Sequence, residues 1–204
     1  MEFRRLLFRS VLVGDFEPST RDGRGSLHGA GGDVFEGEWK GGRVDGQGSA
    51  WHASGECYHG EFRGGQREGH GVCRGAGGST FAGEWRDGRR AGRGTLRYAG
   101  GGEFEGRWRA DQREGPGTLR RADGRAEVAV YCADERVGEG VRWSADRQQA
   151  WRLRGAAVQE ALSLEDARVL AARLGLTVPP VLIARTPRTP RAPHRTPGRT
   201  TTRF

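Results

Sequence analysis

Gly46-Gln47-Gly48 has the make-up of a phosphate-cradling loop, since glycine lets successive backbone N–H groups converge on an anion. No Gly-Lys-Ser/Thr follows it, and the Rossmann spacing is absent. The step returns as Gly69-His70-Gly71, Gly92-Arg93-Gly94 and Gly115-Pro116-Gly117, so it reads as architecture. Glu38, Glu61 and Glu84 have the chemistry of general acids or bases, yet they too recur in phase, on the polar face of a strand. An acid–base pair needs two different environments. A repeated residue in a repeated setting does not supply them, and pairing with arginines across the hairpins is expected instead. The 5 histidines fall out of phase and lie in no Ser/His/Asp or Cys/His context. Cys57, Cys73 and Cys132 are odd in number, form no Cys-x-x-Cys, and show no zinc-finger spacing with His28, His52, His59 or His70. The apolar patches between Met1 and Val13 are broken by Arg9 and Ser10, so the signal-peptide pattern fails and free thiols in a reducing compartment are expected. No catalytic, cofactor-binding or metal-ligating residue is assigned, and a non-enzymatic protein is expected.

The elements that position these residues come from a period of 23. Stepping by 23 from Phe35 reaches Tyr58, Phe81 and Phe104; four residues on stand Trp39, Phe62, Trp85 and Trp108. Glycines recur at Gly37, Gly60, Gly83 and Gly106, and again at Gly48, Gly71, Gly94 and Gly117. The register continues in worn form over 12–34 and 127–149, where Glu127 replaces the first aromatic. Worn terminal copies are expected of an array whose ends meet water instead of a neighbour. Within one unit, Phe35-Glu36-Gly37-Glu38-Trp39-Lys40 alternates apolar and charged side chains, the period of a half-buried strand. Gly41-Gly42 supplies a turn, a second strand begins near Gly46, and Ser54-Gly55 leads into the next unit. Each repeat therefore reads as a β-hairpin. The glycine between two aromatics leaves a gap into which a ring or backbone fits closely. A ladder of Phe35, Trp39, Tyr58, Phe62, Phe81, Trp85, Phe104 and Trp108 is expected along one side. An isolated hairpin is marginal in water, so stability must come from packing between units.

This pattern resembles the MORN repeat (membrane occupation and recognition nexus), over about two thirds of the chain. Phe35-Glu36-Gly37-Glu38-Trp39-Lys40-Gly41-Gly42 is close to the family's ideal opening; Asp111 at an expected glycine and Arg107 at the usual acidic position depart from it. The resemblance implies an elongated array that acts as a scaffold for protein partners, forms homodimers, or associates with membrane or cytoskeletal structures. A cytoplasmic protein, peripheral at such structures, is the corresponding localisation. The expected fold is mostly β: an elongated single-layer antiparallel array of β-hairpin repeats with a short C-terminal capping helix. The boundaries are an N-terminal segment over 1–11, six repeats over 12–149 (clear at 35–126), a hairpin plus capping helix over 150–180, and a disordered tail over 181–204. Ser163 reads as the helix N-cap and Gly175 as its stop.

Charge separates body from tail. The last acid is Asp166, and 8 of the 34 basic residues lie beyond it, which leaves 26 basic against 26 acidic over 1–166. Nucleic-acid binding by the array is therefore not expected. The tail holds Thr-Pro steps at Thr186, Thr189 and Thr196, candidate phosphorylation sites, among 6 arginines from Arg185 onward. Weak, salt-sensitive contact with anionic lipid is its sharper reading, at about 1 kcal/mol per basic residue near a membrane. A further reading is regulation in trans of an enzyme such as a phosphatidylinositol phosphate kinase, as when MORN arrays are fused to one. For a protein partner, aromatics outside the ladder are the candidate contacts: Trp51, Tyr98 and Trp143.

Overall fold

The computed structural model describes residues 2–7, 10–17 and 20–178. Fifteen strands follow one another in chain order: β1 Glu2–Leu7, β2 Ser10–Phe16, β3 Gly23–His28, β4 Val34–Lys40, β5 Arg43–Trp51, β6 Cys57–Arg63, β7 Gln66–Arg74 and β8 Thr80–Arg86. They continue as β9 Arg89–Arg97, β10 Gly102–Arg109, β11 Gln112–Arg121, β12 Ala126–Cys132, β13 Glu135–Trp143, β14 Ala150–Arg154 and β15 Ala157–Leu162, and α1 Leu164–Arg173 follows. Each strand pairs antiparallel with the next, giving one open sheet in the order β1 to β15. Strand β1 lies where the sequence suggested an unassigned segment over 1–11. Arg4-Arg5-Leu6-Leu7 breaks the alternation that marks the other strands, so no period-two signal announces it.

The hairpins β4–β5, β6–β7, β8–β9, β10–β11 and β12–β13 close through two-residue turns. Gly41-Gly42, Gly64-Gly65, Asp87-Gly88, Ala110-Asp111 and Ala133-Asp134 all have positive φ, 48–56° at the first residue and 70–92° at the second. This is the type I′ geometry whose twist matches that of the strands. Each hairpin also holds one bulge, where the register shifts after Gly37, Gly60, Gly83, Gly106 and Ala129.

Strand alternation and register sort the side chains onto two faces. On the first, directly opposed residues run Leu12, Leu27, Phe35, Ala50, Tyr58, Cys73, Phe81, Leu96, Phe104, Leu119, Glu127. Parallel to this row, Gly14, Gly25, Gly37, Gly48, Gly60, Gly71, Gly83, Gly94, Gly106 and Gly117 oppose one another strand by strand. The rings lie flat over this bare backbone. A Cβ on Gly48 would stand 2.6 Å from the Phe35 ring, and one on Gly71 2.5 Å from that of Tyr58. The main core is built here, on a single layer.

A second core forms on the opposite face at the C-terminal end. There Val128, Val141, Trp143 and Ala150 come together, and Ala167, Leu170 and Ala171 of α1 cover them. Ser163 caps α1, its Oγ accepting from the Asp166 N–H at 3.0 Å. Gly175, with φ 72°, ends it.

Candidate functional site

The ring face is a continuous edge-to-face chain. Phe16, Trp39, Phe35, Phe62, Tyr58, Trp85, Phe81, Trp108, Phe104 and Tyr131 follow in contact, with centroids 5.0–6.1 Å apart and planes 80–87° apart. Each such pair contributes about 0.5–1.5 kcal/mol beyond its buried area. The indole N–H groups of Trp39, Trp85 and Trp108 donate to the carbonyls of Gly25, Gly71 and Gly94 at 3.1–3.3 Å, tying each repeat to the one before. Arginines cover the rings. The guanidinium of Arg67 lies 4.9 Å from the Trp85 centroid, Arg90 4.3 Å from Trp108, and Arg113 4.7 Å from Tyr131. These cation–π layers account for rings as little exposed as Phe104, at 0%, where no second layer among the described residues lies above them. The signal was present in the sequence as a period-23 arginine at 67, 90, 113 and 136.

The in-phase carboxylates do backbone work. Glu38, Glu61 and Glu84 accept from the N–H groups of Gln47, His70 and Arg93 at 3.1, 2.9 and 2.8 Å. The arginine pairing expected across hairpins exists for Glu38 with Arg24, at 3.3 Å. The reason is the bulge. Gly69 and Gly92 adopt φ of 62° and 52° and turn the following N–H away from the ladder, and the carboxylate satisfies it. In the fourth clear repeat the corresponding N–H position is Pro116, which has none, and the corresponding carboxylate is Arg107. The departure at Arg107 is therefore matched by one at Pro116. Asp111 is likewise compensated: its carboxylate takes the Arg90 Nε–H at 3.0 Å, and Asp134 does the same for Arg113 at 2.9 Å. Asp45 and Glu68 accept from the first turn N–H of the following hairpin, at Gly64 and Asp87, so turns as well as rings bind repeat to repeat.

The three aromatics expected to contact a partner are not brought together. Trp143 is 1% exposed beneath α1, which corrects its reading as a surface residue: the helix that covers it begins only at Leu164 and leaves no local signature at position 143. Tyr98 packs against the ring-face core. Trp51 stands half-buried on the opposite face, paired between Val34 and Cys57. Elsewhere on this face a shallow hollow is lined by Gln47, His59, Glu61, His70 and Val72, with Val72 43% exposed. The His59 Nδ1 and Ser49 Oγ lie 2.7 Å apart at its edge, exposed. Thr186, Thr189 and Thr196 lie outside the described residues.

The titratable groups of the ring face are shifted by burial. Burial pushes the Cys73 thiol up to about 11, helped by the nearby Glu56 carboxylate and opposed by Arg67. Burial also pushes the Tyr58 and Tyr131 phenols up to about 12. Tyr58 donates to the Glu61 carbonyl at 2.9 Å, whereas the buried Tyr131 hydroxyl has no protein partner. Among the described residues, no three His, Cys, Asp or Glu side chains are grouped to hold a metal ion, and no helix is long and apolar enough to cross a membrane.

The MORN repeat model matches the chain four times, at residues 35–57, 58–80, 81–103 and 104–124. No curated protein matches by sequence. Two solved structures are similar at 10% identity. One is the SAS-4 (dCPAP) TCP domain of Drosophila melanogaster in complex with a proline-rich motif of Ana2 (dSTIL); the match covers 70% of this chain and 84% of that one, with a TM-score of 0.39. The other is the TCP10 domain of Danio rerio CPAP in complex with a STIL peptide, covering 79% of this chain and 99% of that one, with a TM-score of 0.32.

Proposed function

This chain is a MORN repeat-containing protein, and from that premise we propose that it is a non-enzymatic scaffold that binds a protein partner on the face opposite its rings. The observation that carries this reading is the division of labour between the faces. The ring face spends its aromatics internally, each ring held by two neighbours and several by an arginine. The opposite face carries the half-buried Trp51 and, on neighbouring strands, the exposed Val72 with the polar hollow of Gln47, His59 and Glu61. An aromatic side chain on the same face as hydrogen-bonding side chains is what a protein-binding surface draws on. The rigid coupling of repeats supplies what a scaffold needs, a surface held in one shape without a partner.

The test is Trp51→Ala in the full chain, read by capture of binding partners from extract and by thermal melting. Capture should fall at least tenfold, while the melting temperature moves by only a few degrees. Unfolding of the variant, or undiminished capture, would place the partner surface elsewhere.

A further inference from the structure

The ring chain ends abruptly, and its end carries unbalanced charge. Position 127, which holds a ring in the four preceding repeats, is Glu127, fully buried. Three guanidinium groups converge on its carboxylate: Arg121 at 3.1 Å, Arg136 at 2.6 Å and Arg142 at 2.9 Å. Three cations against one anion leave a local surplus of two positive charges. The earlier arginines of this series have carboxylates on the next turn, Asp111 for Arg90 and Asp134 for Arg113. The corresponding turn residue for Arg136 is Ala156, whose carbonyl accepts from Arg136 at 3.0 Å but which brings no carboxylate. Arg121 uses its Nε on Glu127, and its side chain is 41% exposed. The buried Tyr131 hydroxyl, within electrostatic reach of Glu127, Arg113 and Arg136, has no partner in the protein.

We propose that this cluster, Arg121, Arg136 and Arg142 around Glu127, is a binding site for a phosphate monoester on a protein partner. Glu127 holds three like charges within one carboxylate's reach, so the donors are organised before any ligand arrives. A phosphate monoester carries about −1.5 to −2 charges, which matches the surplus of two. Arginine presents the paired N–H fork that phosphate oxygens accept. A peptide is favoured over a membrane on two grounds. The donors are recessed, Arg136 and Arg142 being 18% and 20% exposed, and cannot lie flush with a plane of headgroups. The body over 1–166 balances 26 basic against 26 acidic residues and lacks the long-range attraction that draws proteins to anionic bilayers. The partner chemistry rests on the protein-binding reading above, but its first test needs no partner.

Inorganic phosphate is titrated into the full chain at constant ionic strength, and the arginine Nε–H resonances are followed by NMR. Saturable shifts are expected for Arg121 and Arg142. Arg121→Gln should weaken phosphate about tenfold and lower the melting temperature by only a few degrees, since Arg136 and Arg142 still hold Glu127. Glu127→Gln should tighten it; should that variant fail to fold, the exposed Arg121 still carries the test. Equal affinity in Arg121→Gln would overturn the site. The second arm compares a phosphothreonine peptide, its unphosphorylated twin, and vesicles of phosphatidylcholine with phosphatidylserine. Preference for the phosphopeptide that disappears in Arg121→Gln supports the proposal; Arg121-dependent binding to the vesicles alone assigns the site to lipid and overturns it. Undiminished capture in Trp51→Ala, with phosphate binding intact, would unseat the Trp51 surface and leave this site standing.

Discussion

A glycine can be required for its missing side chain or for its backbone, and this chain separates the two. Gly71 lies under the Tyr58 ring, where an added Cβ meets ring atoms 2.5 Å away. Gly64 sits in open space at φ 56°, and Ala110 and Ala133 occupy the same turn position at 48°. Gly71→Ala should therefore cost about 2–3 kcal/mol through overpacking, and Gly64→Ala about 1 kcal/mol through backbone strain. Urea denaturation measures both, and equal costs would mean that the ring does not need the bare backbone beneath it. The two buried phenols make a second contrast. Tyr58→Phe removes a hydrogen bond to the Glu61 carbonyl and should cost about 1 kcal/mol, whereas Tyr131→Phe removes an unpartnered hydroxyl and should stabilise by a similar amount. The phenols also set an alkaline limit. An unfolded chain releases these protons near pH 10, while the folded one holds them to about 12. Between those values the unfolded state binds fewer protons, so stability falls as pH rises. Denaturation midpoints at pH 9 and 11 test the sign, and Tyr131→Phe should lessen the drop.

At the scale of the hairpin, the bulge explains why two substitutions travel together. In three repeats a glutamate accepts the bulge N–H; in the fourth Arg107 and Pro116 remove acceptor and donor at once. A double-mutant cycle should show the coupling. Pro116→Ala alone creates an N–H with no acceptor, and Arg107→Glu alone creates a carboxylate with no donor, but together they should restore about 1 kcal/mol of favourable interaction. Additive effects in urea denaturation would dissociate the carboxylate from the bulge. The hairpins and the ring series were legible because strand alternation and the 23-residue period are properties of neighbouring residues. The bulge carboxylates were expected to pair with arginines, as Glu38 does with Arg24, but their backbone role was not legible, since a sequence shows charges and not which backbone N–H has left its ladder. Trp143 was misread for a related reason. Its burial depends on Leu170 and Ala171, brought onto the sheet by a helix whose own pattern does not say what it covers. The arginine layer over the rings was periodic and readable, but a charged residue at a strand position looks solvated until a ring is known to lie beneath it.

Along the described repeats, the contacts join a repeat to itself or its neighbour: ring to ring, indole to glycine carbonyl, turn to turn. With fifteen strands at about 4.8 Å, the sheet contour is on the order of 67 Å, and its two ends never meet. Such an array should behave as a sum of local and nearest-neighbour terms. Deleting residues 58–80 joins Cys57 to Phe81 in phase. Phe35 then meets Trp85 where it had met Phe62, Gly48 opposes Gly83, and the Asp45 carboxylate reaches the Asp87 turn N–H in place of Gly64. The shortened chain should fold, melt in a single transition at lower temperature, and lose about 10 Å of length in solution scattering. Deleting only residues 58–69 removes one strand and leaves its hairpin partner without a turn, so the following rings fall on the wrong face relative to Phe35. That chain should not fold. If both deletions fold equally well, the rings are not locked in register across the sheet. If neither folds, the ends of the array depend on each other in a way that nearest-neighbour contacts do not provide.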